Sequence, residues 1–418
     1  MKSDTGEGVA LTDRSNPRAR VRAGDTAIDR RGRKRTGPAI LSYGFRPFFL
    51  GAAIYAAAAV PIWLWMYSSG AATHGVFDGS AWHAHEMIFG YLGAVIAGFV
   101  LTAVPNWTGR LPLSGYPLAL LFLSWLAGRV AVSAIGDPLP AFLFDLAFPV
   151  ALAGSVWREV IAGKNWRNLP VAGLLTLFAF ANSLHHAENL WPVLDGTGLR
   201  LALGVAATMI ALIGGRIVPS FTRNWLAKRK SVHLPASFGT LDRAALVATA
   251  LGTAGWVCFP YHPASGILLA LAGLLSVGRL LRWRGLPTWR EPIVLILHLG
   301  YLWLAASLLL LGCSILAPET MPRSSALHAL TAGAIATMTL AVMTRASCGH
   351  TGRAIEADPA TLAIYAMVTI GALLRVLAPL VPGFYMELLT AGGALWSSAF
   401  ILFAVRYGPM LLRARLGN

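Results

Sequence analysis

Long apolar runs separated by short polar connections fill the chain from about residue 41 to the carboxy terminus. Each run is 17 to 25 residues long, enough to cross a bilayer core of about 30 Å at about 1.5 Å rise per residue. We therefore predict an all-α polytopic membrane protein with twelve transmembrane helices. The predicted spans are 48–67, 83–104, 115–134, 140–157, 170–190, 199–219, 243–261, 264–282, 292–312, 323–344, 360–378 and 386–406.

The distribution of basic residues supports this count. With the amino terminus placed in the cytoplasm, 30 of the 34 Lys and Arg residues fall on the cytoplasmic side, and only Arg200 and Arg323 fall in outer connections. The other two, Arg129 and Arg375, lie within predicted spans. This bias agrees with the positive-inside rule. One missed helix would exchange the two sides for every later connection, and the bias would be lost. We expect both termini to be cytoplasmic.

Residues 1–40 differ from the rest of the chain. They contain ten Lys and Arg residues, five Asp and Glu residues and no apolar run. Such a segment is typical of a flexible basic tail, and Arg30 and Arg31 are not followed by the short apolar core of a twin-arginine signal. We therefore divide the chain into a flexible basic cytoplasmic tail, residues 1–40, and a twelve-helix transmembrane domain, residues 41–418.

The composition excludes several classes of protein. Hydrophobic residues make up 56% of the chain and charged residues 12%, whereas soluble domains carry about a quarter charged residues. The net charge of +16 therefore does not indicate an ordinary nucleic-acid binder. The three cysteines show no CxxC or zinc spacing, and the sequence has no phosphate-binding loop, dinucleotide motif, HExxH or serine-hydrolase elbow. Nucleotide-driven transport and hydrolysis are disfavoured.

The chain also shows signs of an internal repeat. Aligning the threonines that follow the second, sixth and tenth spans places His85 opposite His328, and Arg216 opposite Arg345. These similarities predict three units of four helices in a pseudo-threefold bundle, with spans 2, 6 and 10 inside; the alternative is chance similarity among apolar helices. Prolines open the first, fifth and ninth spans at similar spacing: Pro47, Pro170 and Pro292.

Five histidines lie at one predicted depth, near the outer face. Coordinating groups inside a span are costly and usually face a bundle interior or a cavity. Imidazole is also the commonest protein ligand of zinc, copper and haem iron. The set therefore predicts a metal centre, although each histidine alone is explained as well by a hydrogen-bonded or interfacial side chain. The five come from spans 2, 5 and 10: His83, His85, His185, His186 and His328.

Helix geometry limits how these histidines share a metal. On a regular helix His83 and His85 point about 200° apart, so they serve different centres, or one of them ligates from an unwound turn. His185 and His186 are adjacent and diverge by about 100°. Copper or haem suits the set better than zinc, because no cysteine joins it and Met87 is close by in sequence.

Two arginines lie at a similar depth, Arg129 in the third span and Arg375 in the eleventh. A buried guanidinium requires an anion. Either the outer acids Glu86, Glu188 and Asp145 supply it, or the two arginines bind the carboxylates of a haem.

The remaining candidates lie toward the cytoplasmic side. His298, in the ninth span, is either a ligand of a second centre or a hydrogen-bonded buried histidine. His350 lies in a turn beside Arg345, with Arg216 predicted nearby. This basic cluster either binds an anion or a lipid head group, or anchors the protein by the positive-inside rule.

Several long strings, rich in Trp, His and Pro, resemble the hallmark segments of the NnrS family. The resemblance extends from about residue 41 to the carboxy terminus and excludes the basic tail. It implies a twelve-span bacterial inner-membrane protein that contains haem and copper and takes part in the response to nitric oxide. The strings are SYGFRPFF at 42–49, WHAHEMIFG at 82–90, AVPNWTG at 103–109, MTRAS at 343–347 and GHTGR at 349–353.

With this resemblance, we expect His85 or His328, or both, to bind the haem iron axially. Copper is expected among His83, His185 and His186, with Glu86 or Glu188 as the acceptor that fixes a histidine tautomer. A small diatomic ligand such as nitric oxide would reach the iron from the membrane.

Two classes of function remain open. The first is a haem–copper protein that handles or detoxifies nitric oxide at an outer-side centre, with redox activity as one option. The second is a membrane carrier for a metal, haem or an anion, with His and Arg lining its path. The sequence indicates neither an electron donor nor an oligomeric state.

Overall fold

The computed structural model describes residues 37–188, 190–194 and 196–416, which form helices and connections without any strand. The predicted all-α class is therefore confirmed for these ranges. The predicted basic tail, residues 1–40, falls almost entirely outside the described residues and stays a prediction.

Twelve long helical segments follow one another along the described chain, and a helix that continues through an internal π-helical stretch is counted as one. They are α1 Phe45–Ser69, α2 Gly79–Thr108, α3 Tyr116–Ala134, α4 Pro138–Ala162, α5 Leu169–Ala187, α6 Thr197–Lys228, α7 Thr240–Cys258, α8 Pro263–Arg282, α9 Pro292–Leu316, α10 Arg323–His350, α11 Pro359–Leu377 and α12 Tyr385–Leu412. Short 3₁₀ turns occupy parts of the connections: Ala39–Leu41, Trp166–Asn168, Pro192–Leu194, Leu286–Arg290, Ala378–Leu380 and Pro382–Phe384.

Ten of these segments, within the described residues, are long and apolar enough to cross a membrane. The protein is therefore a multi-pass membrane protein. The exceptions are α5 and α7, each 19 residues long. Their apolar character is reduced by buried polar side chains, among them Asn182 and His186 in α5 and Asp242 in α7. The prediction of twelve spans remains a prediction.

Local sequence explains where several helices begin. Asp78 precedes α2 and its Oδ1 accepts a hydrogen bond from the Ala81 amide at 2.9 Å. Asp137 caps α4 in the same way, with Pro138 in the first helical position. An aspartate at this position satisfies amides that the first turn leaves without partners.

The first and last helices pack together and close the bundle. The buried guanidinium of Arg46, in the first turn of α1, donates to the carbonyls of Leu411 at 2.8 Å and Arg413 at 2.6 Å. A cation near a helix carboxy terminus is stabilised by the exposed carbonyls there. This contact fixes the start of α1 against the end of α12.

Three helices contain a π-helical stretch. Glu86–Leu92 lies in α2, Ile210–Gly214 in α6 and Ala329–Ile335 in α10. In α2 the stretch follows His85 directly, and in α10 it follows His328 directly; both stretches are seven residues long. π-Helical turns are rare and often occur at functional sites.

The helices α2 and α10 are the most deeply buried in the bundle. The helix α6 is also largely buried, but α9 is buried to the same extent. Burial therefore agrees with inner positions for α2, α6 and α10 without singling them out. The threefold repeat stays a prediction, which the matched π-helical stretches of α2 and α10 support.

Candidate metal and cofactor sites

Both candidate sites lie at one end of the bundle, here called the histidine end. It holds the α1–α2 and α3–α4 connections, residues 70–78 and 135–137. The indole of Trp82 joins the two regions by donating to Ser133 Oγ at 3.0 Å.

The first site is a buried cluster of charged side chains, here called the carboxylate cluster. Arg129 of α3 lies between two acids: its Nη1 donates to Glu86 Oε1 at 2.7 Å, and its Nη2 donates to Asp145 Oδ1. The phenol of Tyr55 donates to the second oxygen of Glu86. The arginine and both acids are almost completely buried.

Two imidazoles and an amide surround Asp145. His85 Nε2, His186 Nε2 and Asn182 Nδ2 approach the same oxygen, Oδ2, at 2.9, 3.0 and 2.7 Å. The other nitrogen of His85 lies 2.9 Å from Glu86 Oε1. One ligand atom each from His85, Asp145 and His186 lies within 4.8 Å of the others, a spacing that suits a metal ion.

A third imidazole lies beside this cluster. His185 Nδ1 is 2.8 Å from Glu188 Oε2, while its Nε2 is buried without a partner among the described residues. The ring of Phe77 packs against all three histidines, with centroid distances of 4.9 Å to His85, 4.8 Å to His185 and 5.1 Å to His186. The loop before α2 therefore covers the histidines of α2 and α5.

The second site is a cavity of about 450 Å³. Its wall is mostly apolar and comes from α1, α2, α6, α7, α10, α11 and α12. No Asp or Glu occurs among the described residues that line it, whereas two imidazoles and three guanidinium groups do: His83, His328, Arg200, Arg323 and Arg375. A cavity of this size lies within the range of small-molecule and cofactor sites.

His328 is oriented in this cavity by its own helix. Its Nδ1 lies 2.8 Å from the carbonyl oxygen of Ser324, one turn earlier in α10. Because a carbonyl oxygen only accepts hydrogen bonds, Nδ1 carries the proton and Nε2 keeps its lone pair. Metal-binding histidines are commonly held in this way.

His83 approaches the same cavity from α2. Its ring stacks on Trp63 of α1, with 4.2 Å between centroids and 22° between planes. Its Nδ1 is buried and has no partner among the described residues. Such a nitrogen is costly to bury unless a ligand satisfies it.

Arg375 supplies positive charge to this cavity. Its Nη2 donates to Ser324 Oγ at 3.2 Å, and its Nη1 is buried without a partner among the described residues. Arg200 also lines the wall, and its Nη2 donates to Thr197 Oγ1 at 2.9 Å. Arg323 is exposed and packs against Tyr261.

The structure divides the five predicted histidines between the two sites. His83 and His328 line the cavity, whereas His85, His185 and His186 lie together at the carboxylate cluster. We expected His85 or His328, or both, to bind the haem iron; the option of both does not agree with this arrangement, because His85 contacts carboxylates through both ring nitrogens, and the option of His328 stays a prediction. The expected copper set is also divided, since His83 lies away from His185 and His186.

The two intramembrane arginines also differ. Arg129 contacts Glu86 and Asp145, so outer acids supply its anion, which is one of the two alternatives drawn from the sequence. Arg375 has no acid beside it in the cavity. Only Arg375 therefore has a terminal nitrogen open to an anionic ligand.

The candidates toward the other end do not form a common site in the described contacts. His298 Nε2 is 2.8 Å from Thr222 Oγ1, as expected for a hydrogen-bonded buried histidine. Arg345 stacks over Phe221 at 3.7 Å, and Arg216 donates to Asn168 at 3.2 Å. His350 packs against Phe45, 5.4 Å between ring centroids.

Sequence reasoning did not single out several residues of these sites. Asn182 precedes His186 by one helical turn, and a polar residue at that spacing in an apolar run was a usable signal. Tyr55 and Trp63 carried none, because aromatic residues are ordinary in apolar helices. Arg200 was counted in an outer connection, whereas it lies in the first turn of α6.

A curated relative is the Fe(3+)-citrate import system permease protein YfmD of Bacillus subtilis. It is 24% identical over 205 residues, and the match covers 45% of this chain and 59% of the permease. The chain thus matches less than two thirds of that relative's length.

The family comparison covers far more of the chain. The family described as NnrS protein matches residues 39–415, which include both candidate sites and all twelve helices. The resemblance predicted from the sequence is confirmed, and the chain belongs to the NnrS family.

Proposed function

We propose that the cavity binds haem and that the protein handles nitric oxide, or another small diatomic ligand, at that haem as part of the bacterial response to nitrosative stress. The observation that carries the proposal is the combination of an apolar cavity, two histidines with available nitrogens, and Arg375, whose buried Nη1 has no partner among the described residues. Membership of the NnrS family agrees with this function.

The residues present fit a haem. A haem is largely apolar, as is the cavity wall, and its two carboxylates match a wall that contains guanidinium groups and no acid among its described residues. Arg375 Nη1 and His83 Nδ1 are buried polar atoms that have no partner in the part of the chain that the structure describes, and both would gain one from such a ligand.

His328 and His83 would hold the iron, and Arg375, with Arg200 and Arg323, would bind the carboxylates. When bound, the haem supplies an iron that takes up diatomic gases and changes oxidation state. The protein keeps Nε2 of His328 unprotonated through the Ser324 carbonyl, and it limits rotation of His83 by stacking the ring on Trp63. The apolar walls exclude water.

We place copper at the carboxylate cluster, held by His85, His186 and Asp145, with His185 beside them. One ligand atom each from His85, Asp145 and His186 already lies within 4.8 Å of the others, and the buried Nε2 of His185 has no partner within the described ranges. Imidazole and carboxylate are ligands that copper accepts. Bound copper would take the place of the protons that now lie between the two histidines and Asp145.

The test is a metal count and an optical spectrum of the purified full chain. We expect haem and copper in stoichiometric amounts and a haem absorption band that shifts on exposure to nitric oxide. His328→Ala and His83→Ala should each lose or shift this band. His74→Ala is the matched control, because His74 lies in an exposed connection outside the cavity.

A wild-type haem spectrum in both cavity variants would refute the assignment of His328 and His83. Loss of haem in His85→Ala, with both cavity variants unaffected, would move the haem to the carboxylate cluster. A preparation with neither iron nor copper would refute the proposal as a whole.

A carrier for a metal, haem or an anion is the second candidate. The basic cavity and the partial similarity to an iron–citrate permease favour it. A colourless protein that moves solute across a vesicle membrane would support the carrier. A haem that stays bound during purification and responds to gas would exclude a protein that only transports haem.

For the cellular setting, we propose the bacterial inner membrane, with both termini in the cytoplasm and the histidine end facing outward. Lipid surrounds the bundle, whose outer faces expose many large apolar side chains, for example Leu143, Phe144 and Leu251. Reporter fusions at the carboxy terminus and in residues 70–78 would test the orientation by giving opposite signals.

A further inference from the structure

A second, smaller cavity lies between α2, α6 and α10. Its volume is about 90 Å³. Among the described residues, its wall is apolar except for one threonine, and it includes Val95 and Phe99 from α2, Ala206 and Met209 from α6, and Met338 from α10. We call it the apolar pocket.

The one polar side chain in this wall offers no binding group to the pocket. Thr339 Oγ1 donates to the Ala336 carbonyl at 2.9 Å and also pairs with the Tyr91 phenol at 2.5 Å. An ordered water needs two to four polar partners, which this wall does not provide among its described residues. The apolar pocket is therefore unsuited to water and suited to apolar atoms.

The apolar pocket adjoins the cavity proposed for haem. Leu92 and Ile335 line both spaces, so these two side chains form the boundary between them. A hydrogen bond crosses the same boundary beside them. It runs from Tyr91, which lines the large cavity, to Thr339, which lines the apolar pocket.

Residues of the π-helical stretches lie at this boundary and in the pocket wall. Leu92 is the last residue of the stretch in α2, and Ile335 is the last residue of the stretch in α10. The stretch in α6, Ile210–Gly214, also contributes to the pocket wall. A π-helical turn adds a residue to the turn and interrupts regular side-chain packing, which leaves space between the three helices.

We infer that the apolar pocket binds small apolar gas molecules and holds them next to the large cavity. Its volume of about 90 Å³ admits a diatomic molecule, and an apolar cavity of about 150 Å³ is known to bind xenon or benzene. That the gas is the ligand of a haem rests on the function proposed above; the gas binding itself rests on the pocket alone.

Xenon is the probe, because it binds apolar cavities and scatters X-rays anomalously. In xenon-pressurised crystals of the full chain we expect one xenon site between Val95, Ala206 and Met338. Ala206→Phe fills the pocket from α6, and the site should be lost. Val95→Phe fills the pocket from α2 and should give the same loss. If Ala206→Phe does not fold, Val95→Phe provides the test in its place.

Ala227→Phe is the matched control, since Ala227 is exposed on the same helix and outside both cavities. It should keep the xenon site. No xenon at this position in the wild-type protein, or xenon retained there in Ala206→Phe, would overturn the inference. Ordered water or a lipid chain in the pocket would overturn it as well.

A second measurement separates this inference from the proposed function. In haem-containing protein, carbon monoxide should rebind more slowly after photolysis in Ala206→Phe than in Ala227→Phe. Xenon binding without any haem would refute the proposed function and leave the pocket intact. Haem that binds carbon monoxide at equal rates in both variants, without a xenon site, would refute the pocket and leave the proposed function.

Discussion

Replacing Arg129 by methionine should destabilise the protein strongly while leaving the cavity around His83 and His328 in place. The guanidinium of Arg129 lies 2.7 Å from Glu86 Oε1 and also contacts Asp145. Glu86 is 0% exposed and Asp145 is 1% exposed, so neither acid can turn to water. Methionine keeps most of the side-chain volume but removes the charge.

The expected magnitude follows from the burial of both acids. Removing one partner of a buried ion pair costs about 3–5 kcal/mol, because the remaining charge has lost its compensation. Here a single substitution leaves two carboxylates with only neutral or imidazole donors. The loss should therefore reach at least that range, which is a large part of the total stability of many proteins.

The assay is unfolding of the purified protein in lipid nanodiscs, followed by tryptophan fluorescence during heating. Arg375→Met is the matched control: it is also an intramembrane arginine, but no acid lines the cavity beside it. We expect a much lower unfolding temperature for Arg129→Met than for Arg375→Met. Adding Glu86→Gln and Asp145→Asn to Arg129→Met should restore part of the loss, because no buried charge is then unpaired.

An Arg129→Met variant that unfolds at the wild-type temperature would refute the reasoning, since two buried carboxylates would then tolerate the loss of their cation. Equal destabilisation by Arg375→Met would also refute it. Failure of the triple variant to recover any stability would show that the side chains act through packing and not through charge.

Three further predictions concern cofactor content and stability. Arg375→Met should lower the haem per protein, measured by the pyridine haemochrome spectrum, because it removes a cation that faces the cavity; unchanged haem would contradict this. His186→Ala should lower copper, measured by mass spectrometry, without changing haem, and wild-type copper should be released on acidification because metal-bound imidazole must be unprotonated. His298→Leu should leave both metals unchanged and cost about 1 kcal/mol, since one hydrogen bond to Thr222 is lost; lost metal would reveal a missed ligand.

The helical fold could be predicted from the sequence because the bilayer imposes it. Each span must satisfy its own backbone hydrogen bonds, so long apolar runs leave helices as the natural solution. Prediction of a membrane span from hydropathy is weakest where the span contains polar side chains. The helices α5 and α7 fall short of the hydropathy of the others, and α5 is the helix that carries Asn182, His185 and His186.

The separation of His83 from His85 could also be predicted, because residues two apart on a helix face different directions. The neighbours of each histidine in the folded protein could not be predicted from the sequence. Asp145 and His186 reach His85 from α4 and α5, and His328 and Trp63 lie near His83 from α10 and α1. These partners are far apart in sequence, and only the packing of the helices brings them together.

The repeat alignment placed His85 opposite His328, and one of the options we expected was a haem bound by both histidines. In the structure, however, His85 lies in the carboxylate cluster, whereas His328 lines the cavity together with residues from all three predicted units. His85 lies with Arg129 of the following helix, and His328 lies with Arg375 of the helix that follows α10. Of the expected options, a haem held by both His85 and His328 does not agree with this arrangement, whereas a haem held by His328 stays a prediction, as does the repeat.

Comparing these two sites indicates why we propose different ligands for them. In the first, the helix after Arg129 supplies Asp145, and the start of the π-helical stretch supplies Glu86, so the site contains its own counter-ions. In the second, the helix after Arg375 contributes uncharged residues such as Tyr385 and Leu389 to the wall, and Ala329 occupies the position that directly follows His328. A site that holds its own carboxylates suits a cation, whereas a cationic cavity without carboxylates requires a ligand that brings negative charge.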